Sequence, residues 1–154
     1  MDERLIEAAI KNYGDTVLRA AASVTGNKPD AEDVFSDVFF ALFRHTEAFG
    51  SETHLKAWLI RAALNRAKNL RSSYWSTHVR PLSESLPAPE PEESGYDVPA
   101  AMQALEPDDR AAVYLHYYEG YAYREIGEML HLSEAGARTK TARARERLRE
   151  LLSD

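Results

Sequence analysis

Arg138, Thr139 and Arg143 combine residue type and spacing in a way that suits a ligand. On a helical wheel of about 100° per residue, Ala137, Thr141, Ala144, Leu148, Leu151 and Leu152 gather within about 60° of one centre. They predict an inward stripe on a helix from Glu134 to about Leu152. Ala135, Thr139, Ala142, Arg143 and Glu146 then point outward, with Arg138 and Arg149 at the flank. The leading face is therefore small residues plus Arg138, Thr139 and Arg143. A major groove admits a helix whose face is not bulky, and arginine pairs with O6 and N7 of guanine. Lys140 and Arg147 are placed to reach phosphates. Upstream, Tyr123 to Leu130 reads as a short helix with Ile126, Met129 and Leu130 apolar. His131-Leu132-Ser133 makes a three-residue turn, and Ser133 is a natural N-cap. Helix, short turn and helix form a helix-turn-helix. Without it the same charges would read as an ordinary solvated face; with it they point to DNA.

A second group, Glu32, Asp33 and Asp37, lies on an otherwise apolar helix. Paired carboxylates can serve acid–base catalysis or hold a metal. No histidine or further carboxylate stands at a spacing that completes either arrangement. His45, His54, His78, His116 and His131 are scattered, and there is no cysteine. The sequence therefore predicts no enzyme activity, no metal and no cofactor. Acids in a first turn favour the positive helix end, but Asp37 lies too deep for that.

Net charge is −6, yet its distribution is segregated. From Thr53 to Ser83 there is no acid, while Lys56, Arg61, Arg66, Lys68, Arg71 and Arg80 are present. From Glu84 to Asp109 there is no base, and Arg138 to Arg149 is basic again. Separate basic and acidic blocks imply separate surfaces with separate partners. No apolar run approaches the roughly 20 residues that span a bilayer, and Met1-Asp2-Glu3-Arg4 does not resemble a secretory signal. Absence of cysteine suits a reducing compartment, so a cytoplasmic location without membrane insertion is expected.

These residues need helices to position them. Leu5, Ile6, Ala9 and Ile10 recur at helical spacing, Asn12-Tyr13-Gly14 offers a kink, and Val17, Leu18, Ala21 and Val24 continue to Gly26-Asn27. Pro29 opens a helix with Val34, Phe35, Val38, Phe39, Leu42 and Phe43 as its apolar stripe, broken at Gly50-Ser51. Another runs from about His54 to Tyr74, with Leu55, Trp58, Leu59 and Ala62 on one side. Residues 77–98 are Pro-, Ser- and acid-rich and read as a flexible linker. Pro107 starts the next helix, which Glu119-Gly120 ends.

The stretch Tyr123 to Leu148, YREIGEMLHLSEAGARTKTARARERL, resembles the promoter −35 reader, region 4, of extracytoplasmic-function sigma factors of the sigma-70 family. Asp30 to Phe39, DAEDVFSDVF, resembles the polymerase-binding helix of sigma region 2. Trp58 to Asn69, WLIRAALNRAKN, resembles the following helix, which handles the −10 element. The resemblance covers almost the whole chain in the right order. It departs at Gly136-Ala137, where Thr-Val or a similar pair is usual, at His131, where glycine is common, and at Leu70-Arg71.

The resemblance implies an all-α chain: region 2 over residues 1–76, a helical bundle; the acidic linker over 77–98; and region 4 over 99–154. It implies a factor that binds core RNA polymerase, directs it to −10 and −35 promoter elements and assists DNA melting; an independent helix-turn-helix regulator is the alternative. Asp30, Glu32, Asp33, Asp37 and Phe40 would dock on polymerase. Ser51, Glu52, Thr53, His54, Lys56, Arg61, Asn65, Arg66 and Lys68 would handle the −10 element, with Asn65 near a flipped base. Ser133, Glu134, Arg138, Thr139, Lys140, Arg143 and Arg147 would read the −35 element. Trp58 packs in the core by its spacing. Tyr74 and Trp75 either stack on bases or cap that core. The resemblance further implies a membrane-linked anti-sigma factor as partner, and a flexible linker would let it wedge between the domains.

Overall fold

The structure, a computed structural model, describes residues 2–77 and 96–153. The linker prolines from Pro81 to Pro91 lie outside the described residues. Every regular element among the described residues is helical. The chain divides into two compact units, residues 1–73 and 74–154.

The first unit is built on α1 (Glu3–Thr25), α2 (Lys28–Arg44) and α3 (Glu52–Thr77). Asp2 caps α1 by accepting from the Arg4 N–H, and Gly26 ends it in the left-handed region at φ 75°. No interruption occurs at Asn12-Tyr13-Gly14, and α1 runs unbroken. Gly14 is buried because α2 comes close: a Cβ there would lie 3.3 Å from the Phe35 ring. Asn27 caps α2 through its Oδ1, which accepts from the Asp30 N–H at 2.9 Å, and Pro29 sits in the first turn.

The core joins Val17, Ala21 and Val24 to Val34, Val38 and Leu42, and includes Leu59, Ile60 and Ala63 of α3. Phe43, expected in the inward stripe, is 51% exposed instead. The α2 helix also stops at Arg44, short of the expected break at Gly50-Ser51. His45 explains this. Its Nδ1 binds the Glu47 carbonyl at 2.8 Å and its ring stacks on Phe49 at 4.7 Å, so a side chain competes with the helix for the backbone. The α3 helix begins at Glu52, where Ser51 Oγ accepts from the His54 N–H at 3.1 Å.

The second unit contains α4 (Val98–Ala104), α5 (Pro107–Val113), α6 (Tyr123–Leu130) and α7 (Glu134–Leu152). The α4 helix starts at Val98, the last residue read as linker, and Pro99 occupies its first turn, where a missing N–H costs nothing; Asp97 caps that turn, accepting from Ala100 at 2.8 Å. Arg110 is buried on α5 and directs Nη1 to the Gln103 side chain at 3.2 Å and the Leu105 carbonyl at 3.4 Å. It thus satisfies the C-terminal end of α4. The chain then widens into a π-turn over Tyr114–Tyr118, closed by the Glu119 N–H on the Tyr114 carbonyl at 3.1 Å.

Both α6 and α7 have the boundaries that the sequence predicts. His131 adopts the left-handed region at φ 61°. Gly127 permits the turn: a Cβ there would meet the Leu132 carbonyl oxygen at 2.5 Å. Ala137, Thr141 and Ala144 are buried as the wheel predicts, and the Thr141 hydroxyl donates to the Ala137 carbonyl at 2.8 Å. Leu152, assigned to the same stripe, is 40% exposed because the stripe runs off the end of the unit's core.

Candidate functional site

The outward face of α7 carries the proposed readers. Ser133 caps the helix, its Oγ accepting from the Gly136 N–H at 2.9 Å. Gly136 therefore weakens the first turn by propensity, roughly 1 kcal/mol, but leaves room for the cap; a Cβ would come within 3.0 Å of that Oγ. Leu132, Ala135, Gly136, Thr139, Lys140 and Arg143 line a shallow notch with Asp109. Arg143 is exposed and has no ion-pair partner among the described residues. Arg138 lies 3.9 Å from Glu134, and both are exposed. Arg147 pairs with Glu150 at 3.6 Å and Arg149 with Glu146 at 3.7 Å. Such exposed pairs contribute about 0–1 kcal/mol and yield readily to a phosphate.

Lys140 differs from the sequence reading. Its Nζ sits 3.2 Å from the Asp109 carboxylate on α5, and both side chains are half-buried. The lysine is occupied in holding α5 to α7 and in neutralising an acid at the notch, rather than reaching into solvent for a phosphate.

On α3 the structure sorts the −10 candidates into two groups. His54, Arg61, Asn65 and Lys68 fall within about 40° of His54 at 100° per residue, opposite the buried Leu59, Ile60, Ala63 and Ala67. Lys56 and Arg66 lie about 120–200° round the helix from that face and are half-buried. The structure does not bring them to the same surface.

The loop before α3 is built from rings. His45, Phe49, His54 and Trp58 pack together: Phe49 is edge-on to His54 at 5.3 Å and to Trp58 at 5.7 Å, and His45 is edge-on to Trp58 at 5.1 Å. Trp58, expected in the core, is half-buried and packs against the loop instead. His54 Nδ1 accepts from the Gly50 N–H at 3.2 Å. Ser51, Glu52 and Thr53 remain exposed at the loop's edge. Glu52 is also the anchor of this loop on α1: it accepts from the Tyr13 hydroxyl at 2.6 Å. That bond, followed by burial and the nearby negative charge, raises the Tyr13 pKa. No local signal announces this bond, which joins residues 39 apart. Tyr74 and Trp75 belong to the last turns of α3, and their side chains lie outside the described residues.

Asp33, Asp37, Phe40 and Arg44 share the outer face of α2, within about 40° of Asp33. Phe40 is 59% exposed with the Arg44 guanidinium 4.7 Å above its ring. Phe43 widens this apolar strip. Glu32 points to the side and pairs with Lys28 at 3.9 Å; Asp30 accepts from the Asn27 side chain at 2.8 Å, so it serves the helix cap. An exposed phenylalanine rimmed by two exposed carboxylates suits a basic, partly apolar partner. Among the described residues, no three His, Asp or Glu side chains come together as metal ligands would, and no helix is long and apolar enough to cross a membrane.

Residues 9–77 match the family model for sigma-70 region 2, and residues 97–148 the model for sigma-70 region 4. The extracytoplasmic-function RNA polymerase sigma factor SigE of Mycolicibacterium smegmatis is 32% identical over 94% of this chain, which spans 60% of that relative's length. The RNA polymerase sigma factor CarQ of Myxococcus xanthus is 29% identical over 99% of this chain and 95% of its own. Among solved structures, the sigma factor RpoE in complex with the anti-sigma factor NepR from Bartonella quintana superposes with a TM-score of 0.74 over 95% of both chains, at 23% identity.

Proposed function

The chain belongs to the extracytoplasmic-function subfamily of sigma-70 factors, and we propose how its surfaces divide the work of an RNA polymerase sigma factor. The outer face of α2, with Asp33, Asp37 and Phe40, docks on core polymerase. The exposed face of α3, with Arg61, Asn65 and Lys68, and the ring-packed loop from Ser51 to His54 engage the −10 element as it opens. Cations on α3 hold the backbone while the loop edge meets an unpaired base. The leading turns of α7 enter the major groove at the −35 element, where Arg138 and Arg143 meet base edges and Arg147 a phosphate.

The chain itself carries out no reaction; it places polymerase and stabilises the opened strand, and it works in the cytoplasm. An anti-sigma factor restrains it by covering the α2 face or the α7 face. The Bartonella sigma factor bound to NepR shares this fold, which supports such a partner here.

One observation carries the reading: Thr139 and Arg143 line a notch with Ala135 and Gly136, beside an exposed Arg138, on the helix that follows a capped three-residue turn. The test adds the purified chain to core polymerase with promoter fragments selected from random DNA. Transcription from defined start sites that requires both core enzyme and this chain supports the reading. Tight duplex binding by the chain alone, without any polymerase dependence, would replace it with an independent regulator.

A further inference from the structure

Arg138 is exposed, and an exposed arginine samples many rotamers. A bidentate contact with guanine needs one orientation of the guanidinium plane. The structure supplies a support for that plane from a residue outside α7. The Arg138 guanidinium carbon lies 5.3 Å from the centroid of the Tyr123 ring, within cation–π range. Tyr123 is the first residue of α6, so the contact crosses from one helix of the helix-turn-helix to the other.

The ring is itself held. It stacks on His116, with centroids 4.5 Å apart and planes 16° from parallel. The His116 Nδ1 is 3.0 Å from the Tyr121 carbonyl, and its ring meets Tyr117 edge-on at 4.7 Å. His116 belongs to the π-turn, and the Tyr121 N–H returns to the Leu115 carbonyl at 3.0 Å. A chain of ring contacts therefore links that turn to Arg138. Glu134 attracts the same guanidinium at 3.9 Å, but a weak exposed pair leaves its plane free to turn.

We propose that Tyr123 is a positioning residue for Arg138, holding its guanidinium in the orientation that reads a base pair of the −35 element. This rests on α7 being the −35 reader. The ring face does the holding, so phenylalanine serves as well as tyrosine, and leucine, which keeps apolar bulk without a ring, does not. Preorganisation of this kind lowers the ordering cost of binding and acts on one base pair only.

The test uses the full chain with core polymerase on promoters selected from random DNA by the wild-type holoenzyme. Each −35 base pair is substituted in turn and transcription compared. Arg138→Ala should flatten discrimination at one base pair. Tyr123→Leu should lower discrimination at that same pair about two- to fivefold and leave the other positions alone, Tyr123→Phe should restore it, and Tyr123→Leu should add nothing to Arg138→Ala. If Arg138→Ala flattens that position while Tyr123→Leu discriminates as wild type, the inference falls and the reader stands. A uniform loss at every position from Tyr123→Leu, persisting beside Arg138→Ala, marks Tyr123 as structural and overturns the inference. No loss at any position from Arg138→Ala removes the assignment of Arg138 as a reader, and the inference with it.

Discussion

Replacing Gly127 with alanine should destabilise the second unit, although glycine-to-alanine changes inside helices usually stabilise. Gly127 sits in the middle of α6, where alanine is worth about 1 kcal/mol by propensity. Against this, the new Cβ would lie 2.5 Å from the Leu132 carbonyl oxygen, 3.1 Å from the Ser133 oxygen and 3.2 Å from the Ser133 carbonyl carbon. All three are backbone atoms of the turn, and none can swing aside as a side-chain end would. The turn is also pinned to α6 by the Leu132 N–H on the Gly127 carbonyl at 2.7 Å. Overpacking of this kind costs about 1–3 kcal/mol, and three backbone contacts place it at the upper end. The net loss is about 2 kcal/mol, on the order of 10 °C in melting temperature for a domain this small. Thermal melts by circular dichroism read the stability, and amide exchange on α6 and α7 assigns it to the second unit. Gly50→Ala is the control: its Cβ meets nothing nearer than His54 Nδ1 at 3.8 Å, so stability should hold or rise. A Gly127→Ala protein that melts at or above the wild-type temperature, with unchanged exchange in α6 and α7, would refute the reasoning.

Reversing the charge of Asp33 and Asp37 should weaken core polymerase binding while the far-ultraviolet spectrum stays unchanged, because both residues are exposed; equal recovery in a pull-down would remove α2 as the docking face. Changes at Asn65 and at Ser51 to His54 should impair strand opening more than initial binding, and permanganate reactivity of thymines at a bound promoter measures this; a normal bubble would contradict the −10 assignment. Tyr13 donates to Glu52, which lifts its pKa above the ordinary 10.0. The folded-state value is the higher one, so the stabilisation is present below pH 10 and is lost as pH rises through the folded value. A difference titration of wild type against Tyr13→Phe should show a phenol ionising later than free tyrosine; one ionising at the ordinary value would dismiss the bond.

The helix-turn-helix was legible because its signals are local. Ser133 caps, the turn is three residues long, and the apolar stripe of α7 repeats at helical spacing, so both helices have the expected ends. What was illegible depends on distant residues. Gly14 read as a break in α1 because its reason is Phe35 on the next helix. The α2 helix ended early because the rings of His45, Phe49 and Trp58 close a loop. Lys140 looked like a phosphate contact until Asp109, 31 residues away, claimed it. Spacing alone separates Lys56 and Arg66 from the face of Arg61, Asn65 and Lys68, but residue type grouped them together.

Promoter-directed transcription by reconstituted holoenzyme, with and without changes in the −35 element, tests the central claim most directly. Wild-type holoenzyme should initiate at defined sites and lose activity when the −35 element is altered. Arg138→Ala and Arg143→Ala should each reduce initiation on the intact promoter, by about 1–3 kcal/mol for a bidentate guanine contact, and be less sensitive to the altered base pair. Both variants initiating as well as wild type on a −35-dependent promoter would contradict the account.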